Sequence, residues 1–366
     1  MAENTGIEKF IRPDLLAFGG YSACPSPETS DGKTGVPAEN IIKLDANENP
    51  FGCSPSVNQA LAACPHLSVY PDAGQTELRK LLERYTGVGA EHIVAGSGSD
   101  ELIDLILRLF IEAGGDEVIN CVPTFDMFRV STRLCGGTLV EVPRDENFAI
   151  EVKEIKSAIS EKTKIIFLAN PNNPTGTITP RADIMEILDT GLPVVVDEAY
   201  YEFSGHTVAP MVSQHQNLMV LRTFSKWAGL AGLRVGYGIF PPQITDCLLT
   251  IKPPYNVNMA ALVAVEESLK DIDYLLGRVK VISAERERLF SELQKLKWLK
   301  PFPSQANFVF CSVLAGEARE LQQKLQKRGI LVRCFDQPHL RNGIRFSVGK
   351  PEHNDVLIKA LQGIIY

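Results

Sequence analysis

The sequence predicts an α/β protein with two unequal parts: a large domain with a mostly parallel sheet covered by helices on both faces, plus a smaller α+β C-terminal domain. Short apolar runs alternate with helical patterns between about residues 92 and 240, an order that favours parallel strands joined by helices. These runs are continuously apolar, as strands buried on both faces require. After about residue 260 the pattern changes to a long charged helical stretch followed by further short strands.

The apolar runs and helical patterns can be placed along the chain in order. In the large domain, strands are expected at 92–95, 117–122, 138–142, 164–169, 193–196, 218–221 and 235–240, and helices at 75–85 and 99–110. In the smaller domain, we expect helices at 263–297, at 316–328 and from 351, with strands at 307–311, 330–333 and 343–348. We therefore expect an N-terminal arm at 1–45, the large domain at 46–262 and the small domain at 263–366.

Composition excludes several classes of function. The 366 residues carry a net charge of -7, with a pI near 5.5, and the basic residues form no stripe that would suit a nucleic-acid backbone. The 8 cysteines include no Cys-x-x-Cys pair and are typical of a reduced cytosolic protein, and we expect no metal site. No apolar run approaches the ~18 residues of a membrane span. We expect a cytoplasmic protein with no nucleic-acid or membrane partner.

The most informative stretch is 223–238, which contains Ser225, Lys226 and Arg234 among small and apolar residues. A lysine is usually a solvated surface residue, but these neighbours favour burial. A buried lysine has a lowered pKa, so its free amine can form a Schiff base with an aldehyde. Ser225 and Arg234 would then bind a phosphate on the same molecule. The cofactor that combines an aldehyde with a phosphate is pyridoxal 5'-phosphate (PLP).

Other candidates directly follow the predicted strands. Ligands of open α/β sheets bind at the carboxyl ends of the strands, so residues that follow strands should meet at one edge. The residues in these positions are Gly96, Phe125, Asn173, Asp197 and Lys226. Their convergence predicts one site at this edge.

Two of these positions are open to a structural and a functional interpretation. The glycine-rich turn at 96–98 leads into a helix, where Ser99 or Asp100 would serve as an ordinary N-cap or the backbone N–H groups would hold a phosphate. Asp197 closes a buried strand, where a carboxylate is costly unless it is paired with a cation or well hydrogen-bonded. That cation is either an arginine or the protonated pyridine nitrogen of PLP, and Tyr200, three residues on, could bond the ring hydroxyl.

The remaining candidates are also ambiguous when taken singly. The turn that contains Asn173 is explained by its prolines and glycine, although the amide could donate to the ring oxygen. Phe125 is either a core residue or stacks on the pyridine face. Arg333 and Arg345 lie among apolar strand residues and need an anionic partner. That partner is either a structural carboxylate or a substrate anion.

Taken together, the motifs resemble the fold-type I PLP-dependent aminotransferases over nearly the whole chain. The resemblance implies that Lys226 carries the cofactor, that Asp197 binds its ring nitrogen, and that Asn173 and Tyr200 hold its ring oxygen. Ser225 and Arg234, with the backbone of Ser99 and Asp100, would hold the phosphate. The matching segments are 12–15 (RPDL), 43–50 (KLDANENP), 70–71 (YP), 98–101 (GSDE), 170–176 (NPNNPTG), 197–200 (DEAY), 223–226 (TFSK), 229–234 (GLAGLR) and Arg345.

The resemblance also implies a homodimer, in which Tyr70 reaches the phosphate of the neighbouring subunit's cofactor. Tyr21, Asn47, Arg333 and Arg345 correspond to substrate-side positions. The narrower motifs are similar to the branch that binds a second phosphate there, on the substrate. One departure is Phe125, where many relatives have tyrosine; stacking is kept and the hydroxyl is lost.

The activity that the resemblance implies is transamination of histidinol phosphate with 2-oxoglutarate. The alternatives are an aromatic amino acid aminotransferase and a PLP-dependent decarboxylase of an amino-acid phosphate, which would use the same cofactor residues. A carboxylate needs one bidentate arginine, whereas a phosphate ester can occupy both Arg333 and Arg345. A ligand-sensing regulator with the same fold would carry an added basic helix-turn-helix module, and the chain has no residues to spare for one.

Overall fold

The computed structural model describes residues 6–16, 18–26, 29, 34–64, 67–335, 337–340 and 342–364. The predicted arm at 1–45 therefore lies partly outside the described residues. The strands are β1 Ile42–Leu44, β2 Ile93–Gly96, β3 Glu117–Val122, β4 Thr138–Pro143, β5 Thr163–Ala169, β6 Val194–Asp197, β7 Leu218–Thr223, β8 Gly236–Ile239, β9 Leu299–Pro301, β10 Phe308–Val313, β11 Ile330–Phe335 and β12 Gly343–Ser347. The helices are α1 Pro13–Leu16, α2 Pro55–Ala62, α3 Thr76–Thr86, α4 Ser99–Phe110, α5 Met127–Leu134, α6 Val152–Ser157, α7 Arg181–Leu188, α8 Tyr201–Ser204, α9 Pro242–Ile251, α10 Met259–Lys270, α11 Ile272–Gln294, α12 Ala318–Gln326 and α13 Pro351–Gln362.

The larger sheet has the strand order β2-β8-β7-β6-β5-β3-β4. Its neighbouring strands are parallel except for β8, which runs antiparallel to both β2 and β7. The mostly parallel sheet predicted from the apolar runs is thus confirmed. Because the parallel strands end at one edge, the residues that follow β3, β5, β6 and β7 share that edge.

Both faces of this sheet are buried, which explains why its strands are apolar throughout. In β6, Val194 and Val196 pack into one hydrophobic cluster and Val195 into another on the opposite face, as the two-residue period of a strand requires. Helix α4 covers the second face with fully buried residues such as Leu102 and Ile103. Each such side chain contributes about 1.5–3 kcal/mol to the free energy of unfolding.

The smaller sheet has the order β1-β11-β12-β10-β9. Its first strand comes from the other end of the chain: Ile42–Leu44 pairs in parallel with residues 330–332 of β11. A segment predicted to belong to the arm therefore completes the C-terminal sheet. This pairing brings the stretch just after β1 to the larger sheet's carboxyl edge. The division of the chain at residues 45 and 262 stays a prediction.

The charged helical stretch expected at 263–297 consists of two helices, α10 and α11, separated at Asp271. Helix α10 begins earlier than expected because Asn258 caps it, its Oδ1 accepting from the Ala261 N–H at 2.8 Å. The apolar periodicity continues through the break, so the pattern alone did not show it. Within the described ranges, no helix combines the length and the apolar character needed to cross a membrane.

Candidate active site

A cavity of about 830 Å³ lies between the carboxyl edge of the larger sheet and strands β11 and β12 of the smaller one. Every candidate site residue predicted from the sequence lines it except Tyr70 and Gly96, the first residue of the glycine-rich turn. The lining residues among the predicted set are Tyr21, Asn47, Ser99, Asp100, Phe125, Asn173, Asp197, Tyr200, Ser225, Lys226, Arg234, Arg333 and Arg345.

Lys226 follows the end of β7 and points its amine into this cavity. Its Nζ donates to the backbone oxygen of Ala46 at 3.1 Å, and no carboxylate of the described residues forms a salt bridge with it. Burial lowers the pKa of Lys226 to about 8, and the positive charge of Arg345 adds to this effect. A substantial fraction of the amine is therefore neutral near physiological pH, as a nucleophile requires.

Asp197 ends β6 and is 4% exposed. Its Oδ1 accepts from the Ala199 N–H at 3.0 Å. Burial raises the pKa of Asp197 to about 7, and the Ala199 N–H opposes the rise. No arginine or lysine within the described parts of the chain forms a salt bridge with it. The structure therefore does not contain the arginine partner that was one interpretation of Asp197. The carboxylate instead has room for a cationic group inside the cavity.

The turn between β2 and α4 forms a cradle for an anion. The helix begins at Ser99 and its N-cap is Gly98, which makes no side-chain cap, so neither Ser99 nor Asp100 is the N-cap. Gly98 has φ +81, which favours glycine, and an added Cβ would lie 2.5 Å from Arg234 Nη2, so the guanidinium takes up the space that a side chain at position 98 would occupy. Arg234 also pairs with Asp100 Oδ2 at 2.9 Å.

Ser225 completes this cradle, because its hydrogen bonds leave one proton uncommitted. The Ser225 N–H donates to Thr223 Oγ1 at 3.1 Å, and the Thr223 hydroxyl donates to Ser225 Oγ at 3.0 Å. The Ser225 hydroxyl proton can therefore turn toward the cavity. Together with the first N–H groups of α4 and the positive charge of Arg234, it suits a phosphate dianion.

Two amide side chains lie between the two sheets. Asn173 Oδ1 accepts from Arg345 Nη1 at 2.5 Å, which leaves the amide nitrogen free to donate. Asn47 Nδ2 donates to Tyr200 Oη at 2.9 Å. Burial raises the pKa of Tyr200 to about 12, so its phenol is protonated at neutral pH. Both Asn173 and Tyr200 can therefore donate hydrogen bonds to an acceptor in the cavity.

Arg333 and Arg345 face each other across neighbouring strands, where they form a register pair of β11 and β12. Arg345 is 6% exposed, and its Nη2 donates to the Asp45 backbone oxygen at 2.6 Å. Its Nε has no hydrogen-bond partner among the described residues. Arg333 donates to the Ser22 backbone oxygen at 2.7 Å. Neither guanidinium forms a salt bridge with a carboxylate of the described chain, so the pair favours an anion from solution.

Comparison with known proteins decides the family to which this geometry belongs. A sequence profile of the family described as "Aminotransferase class I and II" matches residues 39–361. This chain belongs to the class I and II aminotransferases.

Members of this aminotransferase family resemble the chain over almost its full length. A histidinol-phosphate aminotransferase of Dehalococcoides mccartyi is 55% identical, over 97% of this chain and 98% of that protein. One of Roseiflexus castenholzii is 45% identical, over 98% and 99% of the two chains. Among solved structures, the histidinol-phosphate aminotransferase of Sinorhizobium meliloti in complex with pyridoxal-5'-phosphate is 27% identical, with a TM-score of 0.87 and coverage of 96% of each chain.

Two aromatic residues of this aminotransferase border the cavity. The rings of Tyr21 and Phe125 meet edge to face, with centroids 6.1 Å apart, and Phe125 also packs edge to face on Phe128 at 5.8 Å. Phe125 is thus anchored in the core on one side and lines the cavity on the other. The core and stacking interpretations are compatible for this residue.

Tyr70 lies apart from the cavity in the single chain. It is 76% exposed, and its ring stacks on that of Tyr255 with centroids 4.4 Å apart. The cofactor-binding role predicted for Tyr70 cannot be met within its own subunit. It requires a second copy of this aminotransferase.

Sequence reasoning missed several residues at the mouth of the cavity. Lys43 Nζ contacts Asp45 Oδ1 at 3.0 Å and Glu48 Oε2 at 2.8 Å, and both Lys43 and Glu48 line the cavity. Their alternating charges at 43, 45 and 48 were visible in the sequence. No feature of that pattern indicated that the segment would cross between the two sheets.

Proposed function

We propose that this chain catalyses PLP-dependent transamination of L-histidinol phosphate with 2-oxoglutarate, giving imidazole-acetol phosphate and glutamate in histidine biosynthesis. The observation that carries the proposal is the pair of arginines, Arg333 and Arg345, which face the cavity of Lys226 without a carboxylate partner among the described residues. The 55% identity to a histidinol-phosphate aminotransferase over nearly the full chain supports it. This identity does not favour the alternative, an aromatic amino acid aminotransferase.

The residues present fit PLP as the cofactor. The buried Asp197 would pair with the protonated ring nitrogen, and Phe125 would lie against the ring. Ser225, Arg234 and the first backbone N–H groups of α4, at Ser99 and Asp100, would hold the phosphate. Asn173 and Tyr200 would donate to the ring oxygen. When bound, PLP supplies an aldehyde that takes up the amino group and a ring that accepts electrons from the substrate carbon.

The chain's own residues would transfer the proton and bind the substrate. Lys226 Nζ, with its lowered pKa, accepts the proton from the substrate carbon that bears the amino group. Arg333 and Arg345, with Tyr21 and Asn47, hold the polar end of the substrate in place. Two guanidinium groups suit the dianionic phosphate of histidinol phosphate and exceed what a single carboxylate needs.

The assembly and location that we propose follow from the same assignment. We propose a homodimer in which each subunit's Tyr70 approaches the cofactor phosphate bound by the other. The exposed, stacked pair of Tyr70 and Tyr255 supports this arrangement, because large apolar surfaces that are exposed in one chain are commonly covered in an assembly. The acidic net charge supports small-molecule substrates and no nucleic-acid partner. A cytoplasmic location stays a prediction.

The proposal predicts a strong preference for the phosphate ester. With 2-oxoglutarate as the acceptor, kcat/KM for histidinol phosphate should exceed that for phenylalanine by at least about 100-fold, which corresponds to ~2.7 kcal/mol of transition-state binding. Arg345→Ala should remove most of this preference, because it deletes one of the two phosphate-binding cations. Steady-state kinetics with both substrates provide the test.

Arg108→Ala is the matched control, because Arg108 is an exposed helical arginine that pairs with Asp104 at the surface. It should leave the preference unchanged. Equal or faster turnover of phenylalanine by the wild-type protein would assign the chain to the aromatic aminotransferases, with the same fold and cofactor.

A further inference from the structure

A buried hydrogen-bond network joins the smaller sheet to Tyr200. The Asn47 backbone N–H donates to Ser347 Oγ at 2.9 Å, and the Ser347 hydroxyl donates to Asn47 Oδ1 at 2.8 Å. Asn307 Nδ2 donates to the Asn47 backbone oxygen at 3.0 Å. Asn47, Asn307 and Ser347 are each at most 2% exposed, so water cannot readily replace these bonds.

The directions of these bonds follow from the number of protons that each group has. Because Ser347 Oγ accepts from the Asn47 N–H, its own single proton is free to bond the side chain of Asn47. That proton requires an acceptor, which places Oδ1 of the amide on the serine side. The opposite face of the amide, Nδ2, is then turned toward Tyr200 Oη and donates to it at 2.9 Å. The tyrosine oxygen is an acceptor in this bond.

The consequence concerns the tyrosine proton. Since Tyr200 Oη accepts from Asn47, its O–H proton is not used in that bond and remains available for the cavity. If the Asn47 amide were turned over, its oxygen would face Tyr200 and take that proton, while the Ser347 proton would lose its acceptor. One serine hydroxyl thus selects between a tyrosine that donates into the cavity and one that donates away from it.

We propose that Ser347 is a positioning residue of the reaction: it holds the Asn47 amide in the orientation that makes Tyr200 a hydrogen-bond donor to the ring oxygen of the cofactor. The inference rests on the proposed function, because it assumes that PLP occupies the cavity. Ser347 ends β12 and lies two residues after Arg345, so both side chains point to the same face of the strand. The strand that carries a substrate-side arginine therefore also sets the hydrogen bonding of Tyr200.

The expected effect is on the protonation of the bond between Lys226 and PLP. A hydrogen bond donated to the ring oxygen withdraws electron density from it and weakens its hold on the neighbouring nitrogen proton, which keeps the pKa of the linkage low. Without the serine hydroxyl, Asn47 can turn over and Tyr200 donates less. We expect Ser347→Ala to raise this pKa by about 0.5 to 1, measured from the visible absorption of the holoenzyme between pH 5 and pH 10.

A double-mutant cycle distinguishes this role from a general structural one. Tyr200→Phe should raise the same pKa, and adding Ser347→Ala to Tyr200→Phe should cause no further rise, because the effect passes through the tyrosine hydroxyl. Ser347→Thr keeps a hydroxyl and should restore a value near that of the wild type. If Ser347→Ala raises the pKa by the same amount in the wild type and in Tyr200→Phe, the proposal is overturned.

Two further variants complete the test. Asn47→Asp has the same shape but only acceptor oxygens, so it should take the Tyr200 proton and raise the pKa at least as much as Ser347→Ala, even if the latter fails to fold. Ser268→Ala removes another fully buried hydroxyl, one with no hydrogen-bond partner in the described chain, and should leave the pKa unchanged. An unmoved pKa in both Ser347→Ala and Asn47→Asp overturns the inference alone. A wild-type protein with no visible lysine–PLP absorption overturns the cofactor assignment as well.

Discussion

At the scale of single residues, burial changes the two central ionisable groups in opposite directions. It raises the pKa of the Asp197 carboxyl to about 7 and lowers that of the Lys226 ammonium to about 8, because a low-dielectric environment disfavours the charged form of each. In water, both groups would be charged at neutral pH. In this cavity the pKa values of both groups lie close to neutral pH, so a bound ligand can change the protonation state of each.

The raised pKa of Asp197 predicts a pH dependence of stability in the cofactor-free protein. Between pH 4 and pH 7 the unfolded chain has lost this proton, since the ordinary pKa is 3.8, while the folded chain keeps it. The folded state therefore binds more protons, and the contribution of Asp197 to the free energy of unfolding falls as the pH rises through this window, by up to about 4 kcal/mol. Asp197→Asn lacks this ionisation.

Urea unfolding of both cofactor-free proteins at pH 5 and pH 7 checks the prediction. The stability of the wild type relative to Asp197→Asn should decrease from the lower to the higher pH. Comparing the two proteins at each pH cancels the contributions of the other carboxylates. Parallel pH profiles would show that Asp197 is ionised in the folded protein over this whole range.

At the scale of elements, the turn between β2 and α4 is held in place by hydrogen bonds from side chains outside the turn. Gln75 bonds both backbone groups of Ala95, through Nε2 at 2.8 Å and Oε1 at 2.9 Å, and so pairs the free edge of β2. Its Nε2 also bonds Asn256 Oδ1 at 2.9 Å. Glu101 accepts from the Ser97 N–H at 2.6 Å and from Asn256 Nδ2 at 2.7 Å. These contacts fix the backbone that is proposed to hold the cofactor phosphate.

Gln75→Asn should therefore weaken binding of PLP through its phosphate. Gln75 has φ +54, a conformation that asparagine tolerates well, but the shorter side chain cannot make both bonds to Ala95. We expect the Kd of PLP to rise about 5- to 30-fold, as the loss of one or two buried hydrogen bonds implies. The affinity for pyridoxal, which lacks the phosphate, should change little.

Equilibrium titration of the cofactor-free protein with both compounds gives the two constants. Gln59→Asn on the exposed side of α2 is the control, because it makes the same chemical change away from the cradle. An equal loss of affinity for PLP and pyridoxal would mean that the variant disturbs the whole cavity and not the phosphate cradle.

The helices and strands also show which structural features sequence patterns can predict and which they cannot. Helix α4 was predicted with its observed bounds, because its apolar face and the preceding glycines are local signals. The break between α10 and α11 and the joining of β1 to the C-terminal sheet were not predicted. Both depend on packing partners elsewhere in the chain, and apolar periodicity records only that a face is buried and not what buries it.

At the scale of the whole molecule, the position of Tyr70 outside its own cavity makes the proposed dimer testable. If Tyr70 serves the partner's site, a heterodimer of Tyr70→Ala and Lys226→Ala subunits contains one intact site. That site combines Lys226 of the first subunit with Tyr70 of the partner subunit. Each variant alone has no intact site. Random mixing should therefore restore about a quarter of the wild-type activity, since half of the dimers carry one good site of two.

The two variants would be unfolded and refolded together with PLP, and the activity compared with each variant treated alone. The control is a mixture of Lys226→Ala subunits with Asp197→Asn subunits. Because Lys226 and Asp197 line the same cavity of one chain, no dimer in this mixture contains an intact site. If activity appears only when the Tyr70→Ala and Lys226→Ala variants are refolded together, Tyr70 serves the site of the partner subunit. No restoration, with dimers present, would place Tyr70 outside the site.

The sequence by itself determined the order of the strands along the chain and the chemistry at their ends. A lysine, an aspartate and an asparagine that each follow an apolar run are enough to predict one PLP site, because parallel strands of one sheet end at the same edge. Local periodicity and residue type carry this information, so the residues proposed to hold the cofactor could be named as candidates without a structure.

Only the tertiary structure decided which groups are paired and in which direction. The bonds donated by Arg345 to Asn173 and by Ser347 to Asn47 join residues 172 and 300 positions apart. That neither Arg333 nor Arg345 pairs with a carboxylate of the described residues also depends on how distant segments pack around them. Such contacts are set by how the smaller sheet packs over the carboxyl edge of the larger one. Hydrogen-bond direction in a buried site depends on this packing, because each proton must find an acceptor among the groups that the fold brings within reach.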